Sequence, residues 1–591
     1  MNSRAPFAPT VLLGSFLLFQ IQLLMAKQLL PWFGGVAGVW TLCFLFFQVV
    51  LVAGYSWADW LSHQTRARQR VLQTALIAAS FASLPGVGVI AWQLQGTEDP
   101  APRILGLLVS SLGLPCLVLV SGGLVLQGWS RRTFALSSVG GLLGIVVYPG
   151  LVEPWLSHSR QLALWTGAWV AFALLVAVRV WLQREVPGGT VAIVAPNRVV
   201  SAALATIPAA VLLVVTTQVS DAFVAAPLVW GIPFALYLMS FAIAYGVSRW
   251  YRRLIWLPLA VAAILVLALV AHPVAIVLAA FVVFLFCHGE LVKRAASPVT
   301  IAAGGALGAA LFVALPAVVF SVVVARESWQ IIRSARVQTH NFFGSLVVSD
   351  APGIRTLRQG ATERGAQFLA EESQKLATGH YTHGSGVGLA LDALMPNGPL
   401  TVGVFGLGAG TIFSYARPRD RYLVYELNPV LLNVASSQFT FMGESEVARD
   451  IRLGDPRVSL QRQPPRNFDF LVVDAPAGAF VPVHLLTREA FALYWKHLKS
   501  DGVLAVNVSS RYLALAPIVD LAAREAGKQA MLVHREEHPG SAEFLSDWVL
   551  VTSKPGFFET PGLQGHGKAI PVVPGLLPWT DDYSNIWRSL R

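Results

Sequence analysis

Apolar runs of about twenty residues recur through the first 325 positions, each long enough to cross a bilayer core as a helix. They fall at 9–27, 36–57, 71–93, 104–127, 134–152, 161–182, 200–217, 222–247, 254–270, 273–287 and 299–324. The first is not a cleaved leader, because its apolar stretch continues to Leu30 with no small-residue cleavage pattern after it. With 55% apolar and only 13% charged residues, a wholly soluble or disordered chain is excluded, and 591 residues exceed what one core serves. The net charge of +11 would point to nucleic acid in a soluble protein. Here the basic residues lie in short loops between apolar runs, so they read as topology signals and no nucleic-acid partner is expected. Cys43, Cys116 and Cys287 lie in apolar segments without CxxC or His/Cys spacing, which argues against a disulfide framework and a structural metal.

Loop charge orients the runs. Arg66, Arg68 and Arg70, then Arg131 and Arg132, Arg184 and Arg198, Arg249, Arg252 and Arg253, and Lys293 with Arg294 mark alternate loops as cytoplasmic. Loops with Glu98 and Asp99, Glu153, and Asp221 read as outside. Eleven spans from a cytoplasmic N-terminus would leave the C-terminal domain outside, whereas Arg326, Arg333 and Arg336 favour inside. A re-entrant segment around Ala271-His272-Pro273, or in the Gly- and Ala-rich last run with Pro316, would return that domain to the cytoplasm.

From His340 the periodicity changes, and short apolar runs ending in Gly or acidic residues alternate with helical patterns, the mark of a parallel sheet with crossover helices. Strands are predicted at Thr401–Phe405, Tyr422–Glu426, Phe468–Asp474, Val503–Val508, Ala530–His534 and Trp548–Thr552. Between His340 and Leu369 a small antiparallel sheet is expected. The expected division is a helical membrane domain over 1–325, a juxtamembrane segment with the small sheet over 326–398, and a Rossmann-like α/β domain over 399–591.

The sharpest motif runs from strand to turn through Gly406, Gly408 and Gly410, where glycine permits a tight turn and close backbone approach to a ligand. A ligand-free strand-to-helix turn accounts for an isolated match equally well, but Glu426 ends the next strand, where a carboxylate can accept both ribose hydroxyls. The Gly-x-Gly-x-Gly spacing favours an adenosyl ligand over a dinucleotide. Asp455 either accepts from an adenine amino group or caps a turn. Asp474 ends a strand of four apolar residues, which aims its carboxylate at the cleft as a catalytic or amine-binding group. His383 is a candidate base, although a histidine beside Gly-Ser-Gly is more often a loop hydrogen-bonder. Asp581 and Asp582 would add acidity if the tail folds over the cleft, and otherwise cap or pair at the surface. Lys27, Glu153, Asp221, His288 and Glu290 near span ends either reach the interface or form a lateral site for an amphipathic substrate.

At these residues the chain resembles the membrane-fused bacterial form of the polyamine aminopropyltransferases, the spermidine synthase family. In the membrane half the likeness rests on Ala26-Lys27, Gly54-Tyr55, Tyr148-Pro149 with Glu153-Pro154, Asp221, and Cys287-His288-Gly289-Glu290. In the other half it rests on Asn341-Phe342-Phe343-Gly344, His383-Gly384-Ser385-Gly386, the Gly406 loop, Gly454-Asp455-Pro456-Arg457, Ser546-Asp547-Trp548 and Trp579-Thr580-Asp581-Asp582-Tyr583.

The resemblance implies a class I methyltransferase-like or spermidine synthase-like fold, with decarboxylated S-adenosylmethionine or S-adenosylmethionine itself as co-substrate and no metal. It implies Gln367, Gly406, Gly408, Gly410, Glu426 and Asp455 as donor ligands and matches Tyr381, His383 and Asp474 to the acceptor side; Asp474 and His383 are the catalytic candidates, and Asp582 is an acceptor-binding candidate if the tail folds over the cleft. It further implies an amine or lipid-like acceptor, contact with membrane lipids, a homodimer, and a bacterial inner-membrane location with the catalytic domain in the cytoplasm. Two departures stand out: Ala409 and Ala477 occupy positions where soluble relatives carry amine-binding aspartates. Each loss removes a charge-assisted hydrogen bond worth about 1.5–3 kcal/mol. A non-catalytic polyamine or adenosyl sensor or transporter, and a methyltransferase on the same fold, therefore stand beside the aminopropyl transferase.

Overall fold

The computed structural model describes residues 8–33, 37–84, 99–127, 131–182, 204, 206–216, 227–247, 250–269, 272–296, 335–360, 362–474, 483–510, 513–537 and 542–590. The expected span at 299–324, with Pro316, lies outside these residues, as do Glu98, Arg184, Arg198, Asp221, Arg326, Arg333 and Ala477.

Ten helices occupy the described part of the N-terminal half. They are α1 (Ala8–Phe33), α2 (Ala37–Ser62), α3 (Arg66–Phe81), α4 (Pro100–Gln127), α5 (Arg131–Val147), α6 (His158–Leu182), α7 (Thr206–Thr216), α8 (Pro227–Gly246), α9 (Arg253–Leu269) and α10 (Pro273–Ala296). Six of them hold segments long and apolar enough to cross a membrane, and α7, α8 and α9 hold shorter ones. α6 shows why the composition is so apolar: Trp165, Trp169, Phe172 and Val176 are buried, while Leu164, Leu174, Val178 and Leu182 on the outside are more than half exposed. A helix apolar on every face needs an apolar surround, and this one has lipid-compatible side chains where a water-facing helix carries charge.

The C-terminal half starts with an antiparallel sheet of β1 (Ala335–Asn341), β2 (Gly344–Ala351), β3 (Ile354–Gln359) and β4 (Thr362–Phe368), paired in sequence order. An eight-stranded sheet follows, of β5 (Thr401–Phe405), β6 (Arg421–Glu426), β7 (Ala448–Leu453), β8 (Phe468–Val473), β9 (Leu498–Asn507), β10 (Gln529–Arg535), β11 (Ser546–Thr552) and β12 (Gly567–Lys568). Its order is β12-β10-β11-β9-β8-β5-β6-β7, with β5 to β9 parallel. The direction of winding reverses at β5, the switch point where doubly wound sheets open a ligand crevice at the carboxyl ends of their strands.

Alternate strand residues feed two cores. Val402, Val404, Phe470, Val472 and Ala505 join one, and Phe405, Leu471, Val473, Leu504 and Val506 the other. Both faces are therefore covered, as a parallel sheet requires.

Two expectations are corrected. β11 runs antiparallel between β9 and β10, because residues 536–545 between β10 and β11 are too few for a helical crossover, which needs a dozen or more. The glycine-rich turn leads into a short 3-10 helix, Thr411–Tyr415, in place of a longer helix. Pro418 and the Arg417–Asp420 ion pair at 2.9 Å turn the chain back into β6.

The halves meet at the C-terminal tail. Asp582 accepts from Ser159 N–H and Oγ at the start of α6, both at 2.7 Å, and Tyr583 Oη donates to Pro154 O at 3.0 Å. Lys27 Nζ, paired with Glu153 at 2.8 Å, also donates to Ser584 O at 3.2 Å.

Candidate functional site

Register brings the cleft residues together. β5 pairs Phe405 with Tyr425 of β6 and with Val473 of β8, and β8 pairs Val473 with Val506 of β9. The residues one step further, Gly406, Glu426, Asp474 and Asn507, thus end four neighbouring strands at the same edge of the sheet.

Gly406, Gly408 and Gly410 have φ of +89°, +56° and +84°, values that an L side chain rarely adopts. The turn closes by Gly406 N–H to Tyr425 O at 2.8 Å and Gly410 N–H to Leu407 O at 2.9 Å. A Cβ on Gly408 would stand 2.5 Å from the carbonyl oxygen of Arg364, so β4 is pressed against the turn. Ala409 N–H donates to that oxygen at 3.3 Å, and a Cβ on Gly365 would fall 2.5 Å from Cβ of Ala409. Ala409 is buried against β4 and carries no charge.

Glu426 is buried and accepts from Leu407 N–H at 2.9 Å and Asn428 N–H at 2.8 Å, which ties the first two strand ends together. Burial pushes its carboxyl above the usual range, against these hydrogen bonds and the charge of Arg364. Asp474 accepts from Tyr381 Oη at 3.0 Å and from Asn507 Nδ2 at 2.7 Å. Burial and the adjacent Asp474 carboxylate raise the Tyr381 phenol, so it stays a donor at neutral pH. Gln367 stands on β4 and bonds Thr440 N–H at 3.1 Å, Thr440 Oγ1 at 2.8 Å and Gln374 O at 3.0 Å, joining the two loops beside the cleft.

Three predicted residues take other partners. Asp455 caps the helix Pro456–Gln461 by accepting from Val458 N–H at 2.9 Å, and its second oxygen lies 2.9 Å from His484 Nε2. His383 is 65% exposed in its side chain and lies 3.3 Å from Asp392, so its partner is not Asp474. Asp582 caps α6, and Asp581 pairs with Arg457 on the sheet side of the same junction. In the helical half His288 bonds Ser240 at 2.8 Å and stacks on Phe241, while Glu290 is held by Arg253 and by Tyr251 Oη at 2.6 Å.

Three cleft residues escaped the sequence reading. Asn507 ends an apolar strand as Asp474 does, so the same rule finds it. His380 is part-buried, its ring edge-on to Phe544, and desolvation lowers its basicity against the opposing charge of Asp474. Arg364 sits at a bulge in β4, a feature of register that no local pattern announces.

No family model matches the chain. A 117-residue stretch is 31% identical to the polyamine aminopropyltransferase of Vibrio vulnificus (strain CMCP6) and covers 19% of this chain. The chain spans only 38% of that relative's length. Among solved structures it is similar to the spermidine synthase of Thermotoga maritima, at 14% identity and a TM-score of 0.29 over 41% of this chain and 81% of that one. A spermidine synthase in complex with the transition-state analogue AdoDATO matches at 13% identity and a TM-score of 0.28, over 41% and 80%. The precorrin-6y C5,15-methyltransferase of Geobacter metallireducens GS-15 matches at 15% identity and a TM-score of 0.22, over 28% and 86%.

Proposed function

We propose that the strand-end cleft binds an adenosyl sulfonium compound and that the chain is a membrane-bound transferase moving an alkyl group from it to an amine. The observation that carries this reading is the convergence of Gly406, Glu426 and Asp474 at one sheet edge, with Asp474 fixed by two donors. The similarity of a 117-residue stretch to a polyamine aminopropyltransferase supports attack at the aminopropyl carbon; the acceptor we assign is a polyamine or a membrane-embedded amine.

A sulfonium is already activated, so the protein's task is to align the nucleophile and remove its proton. The amine lone pair forms the new C–N bond, the C–S pair returns to sulfur as a neutral thioether, and the amine proton passes to Asp474. Tyr381 and Asn507 donate one hydrogen bond to each Asp474 oxygen, which leaves lone pairs on both for the incoming amine. Two features support an adenosyl donor: the positive-φ glycines allow close backbone approach, and the Glu426 carboxylate at the end of the neighbouring strand is the acceptor we assign to the ribose hydroxyls.

Asp474→Asn keeps the shape and removes the proton acceptor. It is expected to lower turnover about 100-fold or more while 5′-methylthioadenosine binding stays within a few-fold. Undiminished turnover would remove Asp474 from the mechanism.

A further inference from the structure

Beside the glycine-rich turn, where Ala409 carries no charge, stands a cationic residue, Arg364. β3 pairs Leu357 with Gly365 and Arg358 with Glu363, so Arg364 is the extra residue of a β-bulge. Bulges re-aim a side chain out of the regular alternation and are common beside binding sites. The backbone of this residue is locked to the glycine-rich turn by the Ala409 N–H bond at 3.3 Å.

Its guanidinium makes one hydrogen bond among the described residues, Nε to Gln359 Oε1 at 3.0 Å. The obvious carboxylate partners are committed elsewhere. Asp474 is held by Tyr381 and Asn507, and Glu426 by the N–H groups of Leu407 and Asn428. The terminal nitrogens of Arg364 therefore form no ion pair within 4.0 Å among the described residues, although its charge acts on Asp474, Glu426, Tyr381 and His380. A partly buried fork of N–H donors without an acid is arranged to receive a carboxylate from outside the chain.

We infer that Arg364 forms a carboxylate subsite in the donor pocket and that the donor is S-adenosylmethionine with its carboxylate intact, not the decarboxylated form. This rests on the reading of the cleft as an adenosyl pocket and names the donor for it. Both forms bring a sulfonium and an ammonium. The decarboxylated form would set two positive centres near a fixed guanidinium and bring no negative group to it, whereas the intact form presents a carboxylate to that guanidinium. With this donor, attack at the same carbon transfers an aminocarboxypropyl group. The amine lone pair forms the C–N bond, the C–S pair returns to sulfur, 5′-methylthioadenosine leaves and the proton passes to Asp474.

The test is calorimetric titration of the full-length protein in detergent with three ligands: S-adenosylmethionine, its decarboxylated form, and 5′-methylthioadenosine, which lacks the amine and the carboxylate. The wild-type chain is expected to bind the intact form about 10- to 100-fold more tightly than the decarboxylated one, the range of one charge-assisted pair. Arg364→Gln should erase that preference and leave 5′-methylthioadenosine within two-fold, and Arg364→Lys should retain part of it. Equal binding of the two sulfonium forms by the wild type, tighter binding of the decarboxylated form, or a preference that survives Arg364→Gln would overturn the assignment. If Arg364→Gln loses 5′-methylthioadenosine as well, the variant is misfolded and the wild-type ratio decides. Failure of the wild type to bind 5′-methylthioadenosine would instead remove the adenosyl reading beneath it.

Discussion

At the scale of single residues, the cleft depends on backbone conformations that only glycine adopts cheaply. Gly408→Ala would place a methyl at a φ of +56° and 2.5 Å from a backbone oxygen that cannot move without shifting β4. The left-handed conformation alone costs about 1–2 kcal/mol for an alanine. Thermal unfolding of the detergent-solubilised chain should show a lower midpoint and a weaker 5′-methylthioadenosine response, and an unchanged midpoint would mean that the turn relaxes freely. The residues legible from sequence, Gly406, Glu426 and Asp474, all end short apolar runs, which is a local signal. Arg364 is invisible in sequence because its placement follows from strand register, and the exposure of His383, away from Asp474, follows from tertiary packing. Neither is encoded in a window of neighbouring residues.

At the scale of elements, caps explain several charged residues that sequence spacing alone leaves ambiguous. Asp455 precedes Pro456, and the fixed φ of proline at the first helical position makes the preceding aspartate a natural cap. Asp582 performs the same service for α6 from 423 positions away in sequence, a distance at which no motif search connects the two. Asp582→Ala should cost about 1 kcal/mol of that junction. The expected readout is faster amide exchange over 580–590 and at the start of α6, with 5′-methylthioadenosine affinity unchanged. Exchange equal to the wild type would show that Tyr583 and Lys27 hold the junction without it. The predicted strands at Thr401–Phe405 and Phe468–Asp474 agree with β5 and β8 to within one residue, because central strands buried on both faces are continuous apolar runs. The antiparallel place of β11 was not legible, since strand direction depends on connection length and not on residue type.

At the scale of the whole molecule, an apolar helical half and an α/β half with both sheet faces covered meet at a charged tail. Several acids outside the helices are held below the usual carboxylate range. For Asp350 the chief cause is its hydrogen bond from Arg355. For Asp420, Asp455, Asp581 and Asp582 burial pushes upward, but Arg417, His484, Arg457 and Ser159 with their companions outweigh it. Groups whose folded pKa is depressed contribute stability above their unfolded value, near about 4, and that contribution is lost as pH falls through the folded values. Glu426 has the opposite sign, since burial raises it, but it is one group against five. The thermal midpoint of the C-terminal half should therefore fall steeply below about pH 4. A midpoint held constant down to pH 3 would contradict these ion pairs.

The reaction proposed for the whole molecule is alkyl transfer from an adenosyl sulfonium to an amine. Its most direct test is mass spectrometry of the small molecules formed when the purified chain receives S-adenosylmethionine and its decarboxylated form, with polyamines and a lipid extract as acceptors. 5′-Methylthioadenosine is expected above a protein-free control, together with an acceptor that has gained the alkyl chain. S-adenosylhomocysteine would mean methyl transfer, and the absence of either product beside measurable 5′-methylthioadenosine binding would mean a sensor or transporter, each of which contradicts it.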